Sequence, residues 1–173
     1  ARVRIFYKGL NRNSTYITEE FAEKLINTLS YAPVKGIYDS EDSDYTDHGK
    51  KRNEGRIYGI VPADKNFAWE KHTDEDGETG EYACCDVLLY TAIYGEAAQI
   101  VGSGQSMELY PPSIKGQWEY ISGKKVYKYT DGCFLGLQVL GQEVEPCFEG
   151  AVFFSMYKQI EDIYAKLSEY KNI

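Results

Sequence analysis

Turn signals cut the middle of this chain into strand-length apolar pieces, and that spacing restricts the fold more than any other feature. Pro62-Ala63-Asp64 separates Arg56 to Val61 from Asn66 to Lys71, and Asp74 through Gly80 separates the latter from Glu81 to Tyr90; Pro111-Pro112 divides Ser106 to Tyr110 from Gln117 to Ile121, and Ser122-Gly123 divides that piece from Lys125 to Tyr129, ahead of Cys133 to Leu140. Proline and glycine end a ladder because they remove a donor or adopt backbone angles other residues resist. Connections this short join antiparallel neighbours, since parallel pairs need a long crossover. The 16 tyrosines among 173 residues suit such strands, because aromatic rings pack well on a half-buried pleated surface. Val3 to Lys8 alternates in the same manner and predicts a further strand.

Helical signals are fewer. Thr18 can cap a helix whose first turn carries Glu19 and Glu20, with Phe21, Leu25 and Leu29 recurring on one buried stripe. Pro33 closes that region, and Val34 to Tyr38 reads as a short strand. Thr91 to Val101 reads as a short helix stopped at Gly102. Ser155 to Ile173 reads as a terminal helix with Ile160, Ile163, Leu167 and Tyr170 on one seam, suited to packing on the domain or to self-association. The expected class is α+β: a mostly antiparallel β-barrel or sheet core with surrounding helices. Residues 1–152 form the main domain, and 153–173 the C-terminal helix.

Composition narrows the function. A net charge of −8 opposes nucleic-acid binding, which needs a basic patch against phosphates. No stretch approaches the ~18 apolar residues a membrane span requires, and the N-terminus alternates like a strand rather than a signal peptide. Cys84, Cys85, Cys133 and Cys147 have no C-x-x-C spacing. They read as reduced, mostly buried thiols of a cytosolic protein. No P-loop, GxGxxG, HExxH or EF-hand pattern is present, so no cofactor or metal is expected.

The chemistry-bearing residues lie in two places. Gly102-Ser103-Gly104-Gln105-Ser106 delivers a serine to the start of an apolar strand, and Asp47-His48-Gly49 sits in the polar loop 39–55, 58 residues upstream (106 − 48). A hydroxyl becomes a strong nucleophile when a neighbouring base takes its proton, and histidine serves best near neutral pH. Ser106 is therefore the candidate nucleophile and His48 the candidate base. His72, the other histidine, reads as part of an exposed hairpin tip. A third group should orient the imidazole. Asp131 is first choice at the entry to the buried strand Cys133–Leu140, with Glu108, on the strand face of Ser106, and Glu145 as alternatives. Cys84 and Cys85, inside an apolar strand, read as inert.

Taken in order, these segments resemble the tailed-phage prohead (capsid maturation) proteases, serine proteases related in fold to the herpesvirus assemblins. The likeness runs over roughly residues 3–152. It rests on Tyr7-Lys8-Gly9-Leu10-Asn11-Arg12-Asn13, Asp47-His48-Gly49, Arg56-Ile57-Tyr58-Gly59-Ile60-Val61-Pro62, Gln105-Ser106-Met107-Glu108-Leu109, Leu137 to Leu140, and Glu145-Pro146-Cys147-Phe148-Glu149-Gly150-Ala151. The resemblance implies an assemblin-like fold, with Ser106 attacking the scissile carbonyl and His48 acting as base and then acid. It also implies scaffold and major capsid proteins as substrates, self-cleavage, a location in the host cytoplasm inside the immature head, and a C-terminal helix that begins a scaffolding region. In one respect this chain departs from the pattern: the family's serine strand runs Ser-x-Gly-aromatic, whereas Ser106-Met107-Glu108-Leu109 has no glycine. That departure keeps open a non-catalytic scaffold or structural head component of the same fold, and, more remotely, an unrelated binding module.

Overall fold

The computed structural model describes residues 1–171, with no side chains described for 156–162. Strands β1 (Arg2–Tyr7), β2 (Gly9–Leu10) and β3 (Thr15–Ile17) lead into helix α1 (Glu19–Ile26). Next come β4 (Pro33–Gly36), the hairpin β5 (Tyr38–Asp39) and β6 (Asp44–Tyr45), then β7 (Arg56–Ile60), β8 (Ala68–Thr73), β9 (Thr79–Asp86) and β10 (Leu88–Leu89). A 3-10 turn over Gly95–Ile100 precedes β11 (Gly104–Leu109), β12 (Lys115–Ile121), β13 (Lys124–Asp131), β14 (Phe134–Leu140) and β15 (Phe153–Phe154). Helix α2 (Met156–Lys171) follows.

The strands form sheets ordered β15-β1-β9-β8, β10-β7-β4-β14-β11 and β12-β13-β3-β2, beside the β5-β6 hairpin. Pairing is antiparallel except for β13 with β3 and β14 with β4. Two stitches join the larger sheets. Phe153 pairs with Val3 while Gln105 N donates to Ala151 O at 2.9 Å, so the segment before α2 bonds to both β1 and β11. At the other border β9 runs through Val87 into β10, which pairs with β7. The mixed, mostly antiparallel α+β architecture agrees with the sequence expectation, but the sheets do not close into a barrel among the described residues. The borders are carried by short bends and single bridges rather than a continuous ladder.

Local rules account for most elements. Thr18 Oγ1 accepts a hydrogen bond from Phe21 N at 3.0 Å, capping α1 as its sequence predicts. Ser122 and Gly123 both take positive φ (50° and 81°), the geometry whose twist matches a two-residue hairpin, and they set the β12–β13 register. In β1 the alternation breaks at a bulge between Arg4 and Phe6, so Val3, Ile5 and Phe6 all enter the core. Phe21, Leu25, Leu29, Val34, Leu137, Val139, Phe148 and Phe153 complete it.

Three expectations require correction. Thr91 to Val101 forms turns and the 3-10 segment, because Gly95 interrupts the α-helical pattern. Loop 39–55 contains the β5–β6 hairpin, held by Tyr45, whose hydroxyl donates to Glu96 O at 2.7 Å and whose ring packs edge-on against Tyr58. The strand expected over Glu81 to Tyr90 breaks at Val87 as the chain passes between sheets. The sheet body extends to Phe154, and α2 begins at Met156. Of the terminal seam, Ile163, Leu167 and Tyr170 are exposed, and Ile160 lies outside the described side chains. No helix among the described residues is long and apolar enough to cross a membrane.

Candidate active site

Strand alternation divides the five-stranded sheet into an apolar and a polar face. Val34, Leu137, Val139 and Met107 point into or pack against the core. Their neighbours one residue on must face the opposite side. Ser106 pairs with Gln138, which pairs in turn with Lys35, while Glu108 pairs with Gly136. Ser106, Glu108, Gln138 and Lys35 therefore share one face. Gly136 makes their contact possible: a Cβ there would lie 3.0 Å from Lys35 Cδ and 3.0 Å from Pro33 O. The lysine stem crosses this bare position, and Lys35 Nζ donates to Glu108 Oε1 at 3.3 Å.

The polar loop between β6 and β7 supplies the histidine. Thr46 N donates to Ile37 O at 2.8 Å, and His48 N to Asp47 Oδ1 at 2.7 Å. Lys50 N donates to Glu54 Oε2 at 2.9 Å, drawing the loop tight. Gly49 permits this, because a Cβ there would meet Glu54 Cβ at 2.8 Å. Arg52 stacks over the Tyr110 ring at 5.3 Å, one residue past β11. The loop is thus fastened to β11 at two points, Arg52 on Tyr110 and His48 against Glu108.

His48 Nδ1 stands 3.7 Å from Glu108 Oε1, an ion-pair distance longer than a hydrogen bond. Burial pushes the Glu108 carboxyl up, but the neighbouring His48 and the Lys35 ammonium outweigh it and hold the group below the ordinary carboxylate range. An anionic Glu108 facing Nδ1 turns the other ring nitrogen away from itself. Ser106 lies two residues along β11, about 7 Å away on the same face. The serine is 8% exposed.

The remaining candidates are placed elsewhere. Asp131 ends β13 in a different sheet, opposite Lys115, and accepts from Gly132 N at 2.9 Å. Among the described residues the carboxylate within ion-pair distance of His48 is Glu108, so the first choice of Asp131 as orienting group gives way to the alternative on the serine's own strand. Glu145 pairs with Arg12 on the surface. His72 is not at a hairpin tip: it lies in β8, with its ring 5.9 Å from that of Tyr82. Burial pushes the Cys85 thiol up to about 12 and the Cys84 thiol further, which makes both poor nucleophiles.

Sequence reasoning missed Lys35 and Gln138. A polar residue inside an apolar run was the available signal in Pro33–Gly36 and Phe134–Leu140, but only cross-strand register shows that the two are neighbours. The described residues hold no group of three or more His, Cys, Asp or Glu that could bind a metal.

Comparison with known proteins adds one match. The family model described as the YonD N-terminal domain matches residues 1–170, and the chain belongs to that family. No curated protein and no solved structure matches it.

Proposed function

We propose that this YonD N-terminal domain is a serine endopeptidase resembling the prohead proteases, with Ser106 as nucleophile, His48 as general base and Glu108 as the group that holds the imidazole. The observation that carries this reading is the His48–Glu108 approach on the sheet face that also bears Ser106. In the reaction Ser106 Oγ bonds to the scissile carbonyl carbon and its proton passes to the imidazole. The C–N bond then breaks as the imidazole returns that proton to the leaving amine, and water repeats the sequence to free the acyl group. Glu108 remains ionised throughout and balances the imidazolium.

The substrates in this reading are scaffold and major capsid segments, and the chain itself, inside the immature head in the host cytoplasm. The resemblance of the His48 and Ser106 segments supports this assignment. An antiparallel-dominated α+β body is compatible with an assemblin-like fold. Exposed Ile163, Leu167 and Tyr170 on α2 fit self-association through that helix.

Co-expression with scaffold and capsid proteins tests the assignment. Wild type processes them, and Ser106→Ala assembles with them uncut; processing by Ser106→Ala would overturn it. A second reading, a non-catalytic structural component of the head, is favoured by the absent Ser106–His48 hydrogen bond and by the missing strand glycine. Stable co-assembly without cleavage by wild type would establish it.

A further inference from the structure

Acyl transfer at Ser106 needs a donor for the oxyanion, and the serine's own backbone cannot provide it. Gln105 N donates outward to Ala151 O at 2.9 Å. Donors alternate sides along an antiparallel strand, so the Ser106 amide points into the ladder with β14. A side chain on the same face can supply the donor instead.

Gln138 is that side chain. It sits in Phe134–Leu140, a run otherwise made of apolar residues and Gly136, where packing alone calls for no amide. Gln138 is 2% exposed, and its Nε2 is buried with no hydrogen-bond partner among the described residues. Such groups are rare because each costs stability, and they call for a functional explanation. In register Gln138 is directly opposite Ser106, which puts their Cβ atoms about 4.5–5.5 Å apart on one face. An oxyanion donor must come within about 3 Å of an oxygen formed beside the nucleophile. Gln138 has the reach, the free N–H groups and the side of the sheet to do so.

We propose that Gln138 Nε2 is the oxyanion donor, hydrogen-bonding the substrate's carbonyl oxygen as Ser106 Oγ adds to the carbon. This rests on the serine-hydrolase reading above. Lys35, beside Gln138 in the parallel pair, adds positive charge at the same point, tempered by its bond to Glu108.

The test is the kinetics of diisopropyl fluorophosphate labelling, followed by intact mass, because the phosphoryl oxygen occupies the oxyanion position. Gln138→Leu removes the donor and also an unpartnered buried amide, so its melting midpoint stays level or rises. Its maximal labelling rate falls roughly 10²–10³-fold with little change in the half-saturating reagent concentration. Gln138→Met, of similar volume, guards against a folding failure and behaves alike. If either folded variant labels at the wild-type rate while Ser106→Ala does not label, this inference falls and the hydrolase reading stands. If wild type does not label, both fall.

Discussion

Glu108 Oε1 is approached from two sides, by Lys35 Nζ at 3.3 Å and by His48 Nδ1 at 3.7 Å, so one carboxylate ties β4 and the β6–β7 loop to the serine's strand. Glu108→Gln keeps the shape and removes the charge. Loss of the group that orients and balances the imidazole should cut Ser106 reactivity roughly 10²–10⁴-fold. It also leaves the largely buried Lys35 without its carboxylate, at a cost of about 1–3 kcal/mol. Labelling kinetics and urea unfolding measure the two effects separately.

The same carboxylate sets a pH dependence. Its folded pKa is lowered from 4.5, so the native state binds that proton less readily than the unfolded chain. The associated stability is fully present above pH 4.5 and is lost as pH falls through the folded value. Wild type should therefore lose more stability than Glu108→Gln on acidification below that point. Equal losses in paired melts would show that Glu108 is not held ionised by its neighbours.

Gly136 is the position that Lys35 crosses. Gly136→Ala places a methyl 3.0 Å from Lys35 Cδ and 3.0 Å from Pro33 O, and the backbone oxygen cannot yield easily. A destabilisation of roughly 1–3 kcal/mol is expected. Serine labelling should drop as well, since Lys35 no longer reaches Glu108.

The thiols offer a check on the interior. Cys84 and Cys85 are fully buried and their pKa values are raised by that burial. In native protein they should react with a disulfide reagent only as fast as the chain opens globally. The partly exposed Cys133 and Cys147 should react sooner. Rapid modification of all four would contradict the core assignment.

How much of this was legible in the sequence depended on range. The Thr18 cap, the Ser122-Gly123 hairpin and the apolar strand over Phe134–Leu140 follow from local rules and appear as expected. Barrel closure did not follow, because it depends on how Val87 and Ala151 bend the chain between sheets. At the site, Ser106 and His48 were marked by chemistry and composition. Glu108 was visible only as a residue two places along the same strand, and a position at the entry to the buried strand Cys133–Leu140 made Asp131 the first choice. Lys35 and Gln138 needed the β4–β14–β11 register, which brings together three segments far apart in the chain. Hydrophobic periodicity gives each strand a face but does not name its neighbours.

The most direct measurement is the intact mass of the protein after treatment with diisopropyl fluorophosphate, with the modified residue located by peptide mapping. A single adduct on Ser106, absent in Ser106→Ala and strongly slowed in His48→Ala, is the predicted result. No adduct on wild type, or one that persists in Ser106→Ala, would contradict the account.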